Sequence, residues 1–143
     1  MLRHSRPQNM LDAKFSAEFA MACAIAARRV GMAELSEAFV RSAPIQTLMP
    51  KVRVTTVEEC DPQEPIFAPF DTVAITLQDG TKLESEPVRH AKGHARNPIG
   101  IEELRAKFDD CVGGALAEAR RTQLFDRLLG LDDLSGVGAL YGD

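Results

Sequence analysis

One alternating stretch bounds the fold of this chain more tightly than any other. In residues 70–77, Val73, Ile75 and Leu77 fall on one face of an extended strand and Thr72, Ala74 and Thr76 on the other, and Asp79-Gly80 then turns the chain. A two-residue loop would set Ile75 against Glu84 and Leu77 against Lys82, mixing charge into the apolar face. A three-residue loop, Gln78-Asp79-Gly80 with Gly80 in the left-handed conformation, instead sets Ile75 opposite Leu83 and is the register expected. Pro87 limits the returning strand to 81–86 unless that strand lies at an edge.

On both sides of this hairpin the apolar spacing is helical. Phe15, Phe19, Ala22, Cys23 and Ala26 recur at three- and four-residue intervals, with Asp12 as the expected N-cap, Arg28 and Arg29 at the negative end of the helix dipole, and Gly31 as the stop. Ala13, Ala17, Ala20, Ala24 and Ala27 spread small residues almost around this helix, so it reads as a central one. A shorter helix is expected over 33–40, and a helical turn over 44–49 before Pro50 interrupts it.

Residues 51–57 place Val52 and Val54 on one face and predict a first strand, and the acidic, proline-bearing 58–69 predicts a loop. Beyond the hairpin, Arg89, His90, Lys92, His94 and Arg96 form a basic loop. Gly100 stands at the N-cap of the next helix, where Glu103 can reach back and Ile99 can staple onto Leu104. Ile101, Leu104, Phe108, Cys111, Val112 and Ala115 make its apolar stripe, and Gly113-Gly114 predicts a bend or break. A last helix over 117–129 carries Leu124, Phe125, Leu128 and Leu129 and ends at Gly130. The fold expected is α+β: a small antiparallel sheet of about three strands packed with four or five helices. The division expected is an N-terminal arm over 1–11, one domain over 12–130 and a tail with one short turn over 131–143.

Composition narrows the function classes. With 143 residues, 45% apolar and 27% charged, the chain has material for one globular domain. Its net charge of −4 argues against a dedicated nucleic-acid binder, and the basic loop has no interleaved aromatic for a base to stack on. Cys23, Cys60 and Cys111 are odd in number, widely spaced and form no Cys-x-x-Cys pair, which points to a reduced, cytoplasmic chain. The longest apolar run, residues 19–27, is far too short to span a membrane, and Arg3, His4 and Arg6 precede no signal-like core.

The order and spacing of several segments carry a resemblance. Asp12-Ala-Lys-Phe-Ser16 leading into the small-residue helix and Arg29-Val-Gly31, then Asp79-Gly80, then Gly93-His-Ala-Arg-Asn-Pro98 and Glu102-Glu-Leu-Arg-Ala-Lys-Phe108, are similar to the C-terminal part of the MmgE/PrpD family. That family includes 2-methylcitrate dehydratase, cis-aconitate decarboxylase and iminodisuccinate epimerase, and the likeness runs over most of residues 6–129. It implies an enzyme with a large helical domain and a smaller α+β lid, binding di- or tricarboxylates in the cleft between them, free of cofactors and commonly dimeric. It further implies that the lysine and histidine residues assigned to proton removal come from the helical domain and from a Lys-x-x-x-Cys-type stretch ahead of this segment, so no catalytic residue is assigned here. On that basis the isolated chain is expected to be incompetent as a dehydratase. It reads as a truncated gene product, a separately encoded lid with a helical partner, or an expression fragment.

The residues best able to meet a polycarboxylate are Arg6, Lys14 and Ser16, together with His94 and Arg96 of the basic loop. Lys14 or Arg6 would neutralise a carboxylate and Ser16 would donate a hydrogen bond to it. The plainer reading makes Lys14 a solvated helix-start lysine and Ser16 a first-turn residue bonded to the backbone. His90 and His94 with Cys60 or Cys111 lack the spacing and acidic partner of a metal site, so no metal is expected. The rival class is a noncatalytic module, self-associating through the faces of the Phe15 and Phe108 helices or binding another protein.

Overall fold

The computed structural model describes residues 3–140. Among these, six α-helices and one two-stranded antiparallel sheet make the chain an α+β protein: α1 (Met10–Ala13), α2 (Ala17–Ala27), α3 (Glu37–Val40), α4 (Ala43–Leu48), β1 (Ala74–Thr76), β2 (Lys82–Glu84), α5 (Ile101–Val112) and α6 (Glu118–Leu129). The chain divides into two compact units, Met1–Val54 with Ile101–Asp143, and Thr55–Gly100.

In the first unit the expected single helix from Asp12 is two helices, and the reason lies in one carbonyl. Phe15 O accepts from the backbone N–H groups of Arg3 (2.9 Å) and His4 (3.3 Å) in the N-terminal arm, so it is not the acceptor for Phe19 N–H as a continuous helix would require. Phe19 N–H donates instead to Ser16 Oγ at 3.0 Å. Ser16 is therefore the N-cap of α2, while Asn9 caps the short α1 by accepting from Asp12 N–H. Nor does Gly31 stop α2. The left-handed C-cap is Arg28, at φ 56°.

The core of this unit joins Ala13, Phe19, Ala22, Cys23, Val40, Ile45 and Met49, with Leu35, Phe39 and Leu48 packed against it. Phe19 meets Phe39 edge-on, with ring centroids 6.5 Å apart. One side of α2 supplies three of these residues, but the helix is covered on that side only: Ala24, Ile25 and Ala26 are exposed. The expected helix over 33–40 shortens to α3, capped by Ser36 accepting from Phe39 N–H. After α4, one turn of 3-10 helix over Met49–Lys51 carries the chain through Pro50.

The strand expected over 51–57 is absent. Its alternation is real, but a strand persists only where a neighbour takes up its backbone groups. Among the described residues none pairs with it, and the sheet has two strands rather than three.

Gly31 has a different task from the one expected. Arg29 spans two carboxylates, Nε to Glu34 Oε2 and Nη2 to Asp110 Oδ1, both at 2.9 Å. Gly31 N–H donates to the same Glu34 oxygen at 3.0 Å, and Met32 N–H to Asp110 Oδ2 at 2.9 Å. A Cβ on Gly31 would stand 2.7 Å from Arg29 Nη2 and 2.9 Å from Asp110 Oδ2, so only glycine leaves room for this clamp between the α2 exit and α5.

Helix α5 begins directly after Gly100 and ends where expected, with Gly113–Ala115 forming a 3-10 turn and Gly113 at φ 44°. Its stripe is only partly covered: Phe108 packs on Phe125 of α6 with ring centroids 5.3 Å apart, Arg105 lies 5.0 Å over the Phe125 ring, and Ile101 stays exposed. Helix α6 runs to its C-cap Gly130 as the sequence predicts. The following segment holds two 3-10 turns, and Arg127 Nη1 donates to Ala139 O at 2.8 Å. The last part of the expected tail, 141–143, lies outside the described residues.

The second unit is built on the hairpin, in the expected register: Ala74 opposite Glu84, Ile75 opposite Leu83, Thr76 opposite Lys82. Leu77 N–H donates to Thr81 O at 2.8 Å across the three-residue loop, and Gly80 sits at φ 86°. Pro87 does not end the ladder. Ser85 pairs with Val73, and Val88 exchanges two 2.9 Å bonds with Asp71, so Glu86-Pro87 stand against Thr72 alone. This is a bulge, a position that spares proline any ladder donation. No side chain of 55–100 is buried.

Candidate functional site

The five residues read as carboxylate ligands fall in both units: Arg6, Lys14 and Ser16 in the first, His94 and Arg96 in the second.

Arg6 is exposed on an arm that is firmly held. Pro7 behind it is buried and its carbonyl accepts from Gln46 Nε2 at 3.3 Å, while Gln8 O accepts from Arg41 Nε at 2.7 Å. Lys14 is exposed and forms the C-cap of α1, its N–H donating to Met10 O at 3.3 Å while Phe15 N–H donates to Asp12 O at 3.0 Å. Ser16 is 2% exposed, and besides capping α2 its hydroxyl faces Glu18 Oε2 at 3.5 Å. The plainer chemistry foreseen for Ser16, a hydroxyl serving its own backbone, is thus present.

The basic loop of the second unit is a closed knot of short-range bonds. Gly93, left-handed at φ 94°, donates its N–H to Asn97 O at 2.8 Å; His94 N–H donates to Ala91 O at 3.0 Å; Asn97 N–H donates to His94 O at 2.8 Å. Asn97 Nδ2 reaches back to His90 O at 2.9 Å. Only a residue tolerant of positive φ allows the first of these turns, which explains a glycine at 93.

This knot orients His94. Its Nδ1 accepts the Arg96 backbone N–H at 3.1 Å, so the neutral ring carries its proton on Nε2, which is then a hydrogen-bond donor. The ring is half-buried and stacks on His90, with centroids 4.6 Å apart and planes 9° from parallel. Arg96 is fixed separately, its Nη1 donating to Gln63 Oε1 at 3.0 Å. Gln63 lies on a turn organised by Asp61, whose Oδ1 accepts from Gln63 N–H at 2.7 Å and from Glu64 N–H at 3.3 Å. Those bonds, led by Gln63 and aided by the charges of Arg89 and His90, hold the Asp61 carboxyl below its ordinary range.

Sequence reasoning did not single out Asp61, Gln63 or Asn97. The acidic, proline-bearing 58–69 read only as a loop, and the reach of Gln63 to Arg96, 33 residues on, has no local signature. Among the described residues no three His, Cys, Asp or Glu side chains gather as a metal ligand set. His90 and His94 face each other ring to ring rather than converging their nitrogens on a point.

An α+β chain with a compact, cationic, self-bonded loop is the class that fold and site define. The family follows from comparison: the model of the MmgE/PrpD C-terminal domain matches residues 1–131, and the chain belongs to that family through this domain. A search of curated proteins returns no match. No helix among the described residues is long and apolar enough to cross a membrane.

Proposed function

We propose that this chain is a lid-type domain for MmgE/PrpD chemistry, closing over a di- or tricarboxylate held against a separate helical domain and supplying carboxylate contacts rather than the proton-abstracting base. The observation that carries this reading is the Gly93–Asn97 knot, which orients a ring nitrogen donor on His94 while Gln63 Oε1, outside the knot, accepts from the Arg96 guanidinium. Oriented donors of this kind lower the ordering cost of binding an anion and suit charge that develops beside a carboxylate. Within the first unit Arg6 and Lys14 are exposed cations able to meet a carboxylate, whereas Ser16 is buried with its hydroxyl bonded to Phe19 N–H and Glu18 Oε2.

The chemistry expected of the assembled protein is hydration, decarboxylation or epimerisation of a small polycarboxylate, without cofactor, in the cytoplasm. The test is reconstitution with the helical domain of a family enzyme, followed by calorimetric titration of citrate. His94→Ala and Lys14→Ala should each weaken citrate binding about tenfold or more with the circular dichroism spectrum unchanged, in line with the loss of a hydrogen bond to a charged group. Unchanged affinity in both variants would remove these residues from the site.

A second reading, a noncatalytic self-associating module, is favoured by the uncovered apolar surface on the α2 and α5 side: Phe15, Ile25 and Ile101 are each about half exposed. Light scattering on the purified chain tests it, and a monomer at all concentrations would count against it.

A further inference from the structure

The hairpin of the second unit offers a different surface, and its charges are arranged for a copy of itself. Both strands are exposed along their length. Because Leu77 pairs with Thr81 and Val73 with Ser85 through direct backbone bonds, alternation turns the N–H and C=O groups of Leu83 inward to β1 and those of Lys82 and Glu84 outward. No strand pairs with that outer edge among the described residues.

We propose that the outer edge of β2 pairs antiparallel with the same edge of a second copy of this chain, about a two-fold axis through Leu83. In that register Lys82 of each copy lies directly opposite Glu84 of the other. Their outward backbone groups then exchange reciprocal hydrogen bonds, and the two Leu83 residues meet as the close, non-hydrogen-bonded pair. The charge pattern is self-complementary only across such an axis. Within the hairpin Lys82 faces Thr76 and Glu84 faces Ala74, so neither finds an opposite charge on β1. Pairing through the β1 edge about Ile75 would set Ala74 against Thr76 and match no charge at all. On the other face, Val73, Ile75, Leu77 and Leu83, between 38% and 51% exposed in one chain, become a continuous apolar surface over four strands. The Glu86-Pro87 bulge ends the pairing edge, which fixes its length and register.

Three charge variants of the full chain, examined by sedimentation equilibrium, test this. Lys82→Glu and Glu84→Lys each convert both cross-axis pairs to like charges and should weaken the dimer roughly tenfold or more. The double swap Lys82→Glu/Glu84→Lys restores opposite charges and should return the dimer towards wild-type strength. In a Cys60→Ser/Cys111→Ser background, Leu83→Cys should form a symmetric disulfide on mild oxidation, since the Cα atoms of a non-hydrogen-bonded pair stand about 4.5 Å apart, within disulfide reach. A chain that stays monomeric at high concentration overturns the proposal and makes Lys82 an edge guard. So does a dimer indifferent to the single variants, which would use the helix faces, and so does a double swap as weak as the singles.

Discussion

Single atoms decide more of this molecule than residue types do. The Phe15 carbonyl, captured by the arm, splits one helix into two and turns Ser16 into a cap. Ser16→Ala should therefore cost about 1 kcal/mol in urea denaturation, the ordinary worth of an N-cap, whatever it does to ligand binding. Cys23 shows the same dependence on setting: buried, its Sγ bonded to Arg29 O at 3.1 Å, its pKa is raised first by burial and then by Glu34, with Arg29 opposing. A maleimide should label Cys60 and Cys111 in the native protein and reach Cys23 only after denaturation. Three labels on the folded chain would contradict this packing. Asp61 and Asp79 titrate low because backbone N–H groups, those of Gln63 and Thr81 foremost, bond their charged forms. A lowered native value means that their stabilisation is complete above the unfolded aspartate pKa of about 4 and is lost as pH falls through the native values. Carboxyl chemical shifts should place both midpoints below those of the same residues in urea; midpoints at or above them would refute the assignment.

At the scale of elements, what was legible in the sequence was what nearest neighbours decide. The hairpin register followed from keeping Ile75 and Leu83 off the charged positions, and the break at Gly113-Gly114 and the end at Gly130 from glycine chemistry. What was not legible depended on distant partners. Val52 and Val54 alternate correctly, yet no neighbouring edge makes them a strand, and Gly31 looked like a helix stop because its proximity to Asp110, 79 positions on, has no local trace. The αL position at Arg28 is a case where local rules can still be exploited. Arg28→Gly should raise stability by up to about 1 kcal/mol, since glycine adopts that φ without the side-chain penalty. Arg29→Ala, by breaking a two-carboxylate clamp and leaving the nearly buried Glu34 with fewer partners, should lower the melting midpoint clearly more than Lys107→Ala does. Of the candidate site, the identity of the cationic loop was readable; its closed hydrogen bonding and the orientation of His94 were not, because they arise from backbone bonds to Arg96 and Asn97.

For the whole molecule, the match over residues 1–131 fixes which domain of the MmgE/PrpD family this is. The core gathers within residues 13–49 and much apolar surface on α2 and α5 stays open, a division expected of a domain that works against another. The most direct measurement is turnover of a panel of di- and tricarboxylates by the purified chain, alone and mixed with a family helical domain. The account predicts no turnover alone and hydration, decarboxylation or epimerisation in the mixture that falls in His94→Ala. Turnover by the chain alone at an ordinary enzymatic rate, or a mixture that associates yet stays inert, would contradict it.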